Sequence, residues 1–338
     1  MPVGMASRPA RLTLRQPRVT TNPCLRRGAS PTSAPHVPRS PKTRPGSGAT
    51  PSARARSGAL GSGRSVAARE PSRPPAGGSS SARGLLDAAL AAARAAGAVA
   101  LRYFTGGFEV SHKADQSPVT QADREAEETI VEQLRAAFPD VGVLGEEYGA
   151  QGNQDRRWIV DPIDGTKNFV RGTPYWATLI ALEEDGEVTL GVVYAPATGD
   201  LLWAQRGRGA FANGAPLRVS TVDRLAAATL VHSSLRFLRT AEDGRYWDGF
   251  VRLVDRTDRQ RGFGDYLAYT FVLRGQAEVA LEADLKPWDL APFVVLFEEA
   301  GGRFTDFAGR RTIYSGTALA SNGRLHGEVL ALLAGAPP

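Results

Sequence analysis

Two aspartates three residues apart, Asp161 and Asp164, stand in the stretch WIVDPIDGTKNF at 158–169. The apolar run Trp158-Ile159-Val160 reads as the end of a buried strand that delivers Asp161. Pro162 has no N–H to give a ladder and is expected to stop that strand. Gly165 and Thr166 then open a turn into a helix. The carbonyl of Ile163 lies between the two carboxylates, and backbone N–H groups crowd beside them. Oxygen-only ligands on a tight loop suit a hard cation such as Mg²⁺. The open start of a helix suits an anion. The stretch therefore predicts a metal-assisted phosphate site.

Other acids could join it. The run VGVLGEE at 141–147 reads as a short buried strand ending in Glu146 and Glu147, which alone would be a solvated strand end. Asp123 sits at the capping-box offset from Thr120 and reads first as a helix-start carboxylate. Asp289 falls in the first turn of a helix, another ordinary place for an acid. Lys113 and Asp115 precede the Thr120 helix in a loop, where a solvated surface is the plain reading.

The elements that must position these groups alternate along the chain. Residues 84–104 repeat Leu85, Leu86, Ala89, Leu90, Ala93, Gly97 and Leu101 at helical spacing. Ile130, Leu134, Ala137 and Phe138 mark a second helix face. Two strands, 177–182 and 189–194, meet at an Asp185-Gly186 hairpin turn, and a strand at 201–206 leads to a turn at Asn213-Gly214. Strands are expected at 230–234, 278–282, 303–305 and 318–320. Helices are expected at 246–254, 285–302 and 325–333, and 259–276 reads as a loop entering a helix. No repeat, P-loop, dinucleotide fingerprint or GxSxG elbow is present.

Charge divides the chain. Of 41 basic and 35 acidic residues, residues 1–83 hold 15 basic and one acid, Glu70, leaving 26 against 34 in the body. The basic balance thus belongs to the tail, and the acidic body carries no nucleic-acid footprint. The tail is rich in Arg, Pro, Ser, Gly and Ala and is expected to be disordered. It reads as the product of a start codon assigned too far upstream in a GC-rich gene. A transit peptide or a nucleic-acid-binding tail are the alternatives. Cys24, the only cysteine, lies in the tail, and the four histidines show no zinc spacing. No apolar run is expected to reach the length of a membrane span.

GEE at 145–147, DPIDGTKNF at 161–169 and WDLAPFVVLFEEAGG at 288–302 together resemble the inositol monophosphatase-like family of Mg²⁺-dependent phosphatases, over nearly all of residues 84–335. The resemblance implies an α+β fold, a layered αβαβα sandwich, with an N-terminal half at 84–222 and a C-terminal half at 223–338. It implies that Glu146, Asp161 and the Ile163 carbonyl hold a first metal. Asp161, Asp164 and Asp289 would hold a second, with Glu146 approaching a third, weaker site. Thr166 and Asp123 would orient the attacking water, Gly165 and Thr166 would donate N–H groups to phosphate, and Lys113 resembles a flap lysine. Mg²⁺ is the implied ion, two or three per site, with Mn²⁺ as an alternative. Homodimers and lithium inhibition are also implied.

Two features resemble the histidinol-phosphate phosphatases of the bacterial type. Lys167 follows Thr166 where inositol enzymes carry a second threonine, and RGFGDY at 261–266 places Asp265 where they carry a small or hydroxylated residue. The stretch RGTPYWATLIALE at 171–183 points the same way. Arg261, Asp265 and Glu282 are then expected substrate contacts, although Asp265 also reads as an N-cap. The expected activity is hydrolysis of histidinol phosphate in the cytoplasm, or in a plastid if the tail is a transit peptide. Inositol 1-phosphate or a broader range of sugar and nucleotide phosphates is the alternative. A non-enzymatic role on RNA or the transcription machinery has no need of so complete an acid set. Neither a membrane nor a nucleic-acid partner is expected for the body.

Overall fold

A computed structural model describes residues 78–107, 110–112 and 118–335. Lys113, Asp115 and the tail to residue 77 lie outside them. The chain opens with α1 (Gly78–Gly106), the hairpin β1 (Val110–His112) and β2 (Pro118–Thr120), then α2 (Gln121–Ala137). There follow β3 (Gly142–Gly145), β4 (Gly149–Gln151), β5 (Arg156–Asp164), the short α3 (Thr166–Val170), β6 (Ala177–Glu184), β7 (Glu187–Ala195), β8 (Asp200–Gln205), β9 (Ala210–Ala212) and β10 (Ala215–Pro216). The remainder is β11 (Thr229–His232), α4 (Leu235–Thr240), α5 (Trp247–Arg256), β12 (Arg259–Gly262), α6 (Asp265–Leu273), β13 (Val279–Ala283), α7 (Pro287–Ala300), β14 (Arg303–Thr305), β15 (Thr317–Ser321) and α8 (His326–Leu333).

Strands β3 to β10 form an eight-stranded sheet in the order β10-β9-β8-β7-β6-β5-β3-β4, and β11 to β15 a five-stranded sheet in the order β12-β11-β13-β15-β14. Both are buried on two faces, so their strands alternate between cores rather than between core and water. In β6, Ile180 and Leu182 pack with α1 and α2, through Leu86, Ala93, Ile130 and Leu134. Leu179 and Ala181 face the opposite way, toward α6 and α7 through Tyr269, Phe293 and Phe297. In β13, Ala280 joins that central core, while Val279 and Leu281 pack with Phe250, Leu253, Val329 and Leu332 of α5 and α8. Five layers result: helices, large sheet, helices, small sheet, helices. This is the αβαβα sandwich that the motifs implied.

Three expectations are corrected. Pro162 does not end its strand: β5 runs on to Asp164 against β6, from Asp161↔Leu179 to Asp164↔Ala177. Three residues advance on one strand against two on the other, so the missing N–H falls in a bulge where no ladder bond is needed. Residues 259–262, read as loop, form the edge strand β12, parallel to β11. The Arg83–Gly106 part of α1 is long and apolar enough, by length and composition, to cross a membrane. Here its apolar stripe is buried in the core shared with α2 and the large sheet.

Candidate active site

Parallel pairing of β3 with β5, with Gly145 opposite Val160, brings the C-terminal ends of both strands together. Glu146 and Asp161 therefore leave their strands side by side, and the Glu146 N–H donates to Val160 O at 3.3 Å. The bulge then turns Asp164 toward the same place. Within it the Ile163 N–H donates to Asp161 Oδ1 at 2.9 Å, and the Thr178 hydroxyl donates to Pro162 O at 2.9 Å. The turn into α3 passes through Gly165 at φ 85°, a left-handed conformation that glycine adopts without steric cost. The Thr166 hydroxyl donates to Ile163 O at 3.0 Å and stands 3.5 Å from Asp123 Oδ1.

Asp123 comes from α2, where it closes a full capping box. Its Oδ2 accepts from the Thr120 N–H at 2.7 Å and from the Thr120 hydroxyl at 2.6 Å. The plain and the functional readings of Asp123 thus coexist, since its other oxygen faces Thr166. Asp289 arrives on the first turn of α7, with Oδ2 accepting from the Lys286 N–H at 2.7 Å. Asp164 Oδ2 accepts from the Tyr266 N–H of α6 at 2.6 Å. Carboxylate oxygens of Asp161, Asp164 and Asp289 all lie within 4.8 Å of one another.

These groups floor a cleft of about 980 Å³. Glu146, Asp161, Ile163, Asp164, Gly165, Thr166, Asp265, Glu282 and Asp289 all line it, as do Lys167, Asn168, Ser233, Phe237, Lys286 and Trp288. Asp123 lies behind Thr166, only 1% exposed. Arg261 is not among the lining residues: it is exposed on β12, and its guanidinium donates to Gln260 O at 2.8 Å.

Crowding acids in a buried place makes their charge costly. Burial first, then Glu146, Asp164 and Asp289, raises the Asp161 carboxyl well above its ordinary value. Burial and then Asp265 do the same to Asp164. Burial lifts Asp289 to about 7 and Asp123 to about 7. Oxygen-only donors, buried and mutually repelling, are the chemistry that a hard divalent cation relieves. The donor set therefore fits Mg²⁺ or Mn²⁺ and offers no nitrogen or sulfur ligand.

Asp265 and Glu282 also line the cleft, near enough to Asp164 to add to the rise of its carboxyl. The N-cap of α6 is Gly264, and Asp265 is the first residue of the helix, so the N-cap reading is corrected. Its Oδ2 accepts instead from Asn168 Nδ2 at 2.9 Å, and its N–H donates to Glu282 Oε1 at 3.0 Å. The Asn168 amide also donates to Tyr175 O at 3.0 Å, which ties it in place. The Glu282 carboxylate faces the buried Tyr269 hydroxyl, and the buried Ser233 hydroxyl makes no hydrogen bond to the described residues. Lys167 lines the same cleft, its Nζ 5.5 Å from the centre of the Phe237 ring.

Asn168 and Glu127 did not stand out in the sequence. Glu127 was findable in principle, because it follows Asp123 by four residues and so shares its helix face.

Residues 82–336 match the profile of the Inositol monophosphatase family, and the chain belongs to that family. The histidinol-phosphatase of Mycobacterium tuberculosis is 46% identical over 239 residues, covering 69% of this chain and 91% of that one. A histidinol-phosphatase of Streptomyces coelicolor is 44% identical over 235 residues, covering 67% and 87%. Among solved structures, the extragenic suppressor protein SuhB from Bartonella henselae superposes with a TM-score of 0.68 at 32% identity, covering 74% of this chain and 98% of that one. Fold, acid cluster and relatives define a phosphoric monoester hydrolase.

Proposed function

We propose that this chain is an Mg²⁺-dependent histidinol-phosphate phosphatase of histidine biosynthesis, releasing histidinol and phosphate. The observation that supports the substrate is the Asp265 carboxylate, held by Asn168 in the cleft that the acid cluster also lines, a wall we assign to the leaving group. Histidinol phosphate presents an ammonium and an imidazole there, which a carboxylate wall suits and an uncharged polyol does not need. The names of the two histidinol-phosphatases reported above agree.

Glu146, Asp161, Asp164, Asp289 and the Ile163 carbonyl are assigned to two or three Mg²⁺ ions, with Mn²⁺ as the alternative. Held by these residues, such cations would supply neutralisation of the ester's charge, a more acidic water and stabilisation of the leaving alkoxide. The chain's own part is positioning. The Thr166 hydroxyl has one proton and two acceptors in reach, Ile163 O at 3.0 Å and Asp123 Oδ1 at 3.5 Å. When it donates to Asp123, its oxygen accepts from the attacking water, and its proton can pass to the Asp123 carboxylate as the water's proton replaces it. The Asn168 and Phe169 N–H groups are engaged by Gly165 O at 2.8 and 3.0 Å, and of the earlier N–H groups at this helix start those of Gly165 and Thr166 are the proposed phosphate donors. Glu282 and Asp265 are assigned to the substrate amine, and Lys113 to the flap. We also take the enzyme to be a cytoplasmic homodimer acting on a small phosphate monoester, with no nucleic-acid or membrane partner.

Phosphate release from histidinol phosphate, inositol 1-phosphate, fructose 1,6-bisphosphate and phosphoadenosine phosphate tests this directly. Histidinol phosphate is expected to give the highest kcat/KM, and EDTA is expected to abolish it. Faster turnover of inositol 1-phosphate would replace the substrate assignment, and EDTA-resistant activity would sink the mechanism.

A further inference from the structure

Helix α2 carries two buried carboxylates one turn apart. Asp123 faces Thr166, and Glu127, with no exposed surface, faces the turn between β3 and β4. Glu127 Oε2 accepts from the Glu147 N–H at 2.8 Å, and Oε1 accepts from the Tyr148 N–H at 3.1 Å. The other side of the same carboxylate lies against Gly145. A Cβ built on Gly145 would stand 1.9 Å from Glu127 Oε1, so the carboxylate fills the space a side chain would need. Both ends of the turn are therefore held by one acid, and Glu146 lies between them. Its own main-chain tie, to Val160 O, is a long one at 3.3 Å.

We infer that Glu127 is a positioning residue for the metal site: it clamps residues 145–148 so that Glu146 is presented to the cleft beside Asp161. The inference rests on the assignment of Glu146 to a cation. The geometry explains why the residue is a glutamate. Two N–H donors converge, one on each oxygen, so both oxygens must accept. A glutamine would turn its amide N–H₂ against one donor. An aspartate, one methylene shorter, would pull back from both. An acid that merely satisfied two stray N–H groups would support stability without any particular effect on metal.

Calorimetric titration of the purified chain with Mg²⁺, and spin-resonance titration with Mn²⁺, separates the two roles. Glu127→Gln and Glu127→Asp are each expected to raise the metal dissociation constant roughly 10- to 100-fold, the usual effect of losing a group that orients a ligand. Ser321→Ala serves as a structural control. Its hydroxyl lies 2.8 Å from Nδ1 of the buried His326, away from the cleft. This variant is expected to lower the melting temperature with metal affinity unchanged. Unaltered affinity in both Glu127 variants would overturn the inference, as would an equal shift in Ser321→Ala. Failure of both Glu127 variants to fold would overturn it too, because it would make the residue a structural one. An unmutated chain that binds no metal would instead remove the functional proposal beneath it.

Discussion

Asp265 sits at φ 59°, in the left-handed region that costs an L-residue of order 1 kcal/mol or more. What holds it there is the pair of bonds to Asn168 and Glu282. If the carboxylate binds a substrate cation, its removal loses a charge-assisted bond of about 1.5–3 kcal/mol, roughly 10- to 100-fold in kcat/KM. Asp265→Ala is expected to show that loss on histidinol phosphate and to leave p-nitrophenyl phosphate nearly unchanged. Asp265→Gly should lose the same substrate preference while relieving the backbone strain, so its melting temperature should lie above that of Asp265→Ala. An equal loss on both substrates would make Asp265 structural. Asp161→Asn differs in kind: it removes a carboxylate from the centre of the acid cluster. A fall of roughly 10²–10³-fold or more in kcat is expected on every substrate, with the fold retained by circular dichroism. The acids were legible in the sequence because their residue type already implies the chemistry. Asn168 and Glu127 were not, because their roles depend on which carboxylate or main-chain N–H the fold brings within 3 Å.

At the scale of elements, periodicity revealed most strands and helices because nearly all of them bury an apolar stripe. The short elements β1, β2, β4, β9, β10 and α4 were not read, and the remaining misses have physical reasons. Strand β12, RQRG, is a polar edge strand whose pairing depends wholly on β11. The bulge in β5 is invisible in one strand, because it exists only relative to the register of β6. The meeting of α7 with β7 was likewise unreadable, although it places Asp289. At the contact, Gly191 lies so close that an added Cβ would stand 2.5 Å from Pro292 O and 2.7 Å from Pro292 Cα. Those atoms are backbone and cannot swing aside, so the helix itself must move. Gly191→Ala is expected to destabilise the chain by about 1–3 kcal/mol, as overpacked cores do. Because Asp289 rides on the same helix, Mg²⁺ affinity should fall as well. Calorimetric melts with and without Mg²⁺ measure both effects, and a variant that melts like the unmutated chain would show that the layers slide freely.

For the molecule as a whole, the five-layer stack brings carboxylates from both sheets and from α2 and α7 into one buried region, and that couples metal, protons and stability. Without metal, Asp123 and Asp289 titrate at about 7 in the folded chain against an ordinary 3.8, and Glu127 at about 7 against 4.5, burial being the main cause in each. A carboxyl raised by folding binds its proton more tightly in the native state. These acids therefore support the fold below their unfolded values, and that support is lost as pH rises toward 7. Mg²⁺ acts on the ionised form, so protons compete with it, and its stabilising effect must grow over the same interval. Buried His326 works in the opposite sense, since burial lowers it to about 4 from 6.5. Its contribution is complete above pH 6.5 and is lost as pH falls toward 4. It lies outside the metal cluster, however, so it cancels in the difference between a melt with Mg²⁺ and a melt with EDTA. That difference in melting temperature is expected to be small at pH 5 and several degrees larger at pH 8. It should vanish at both pH values in Asp161→Asn. An increment of equal size at pH 5 and pH 8 would mean that the ion binds groups that are not protonated at pH 5, and hence not this acid cluster.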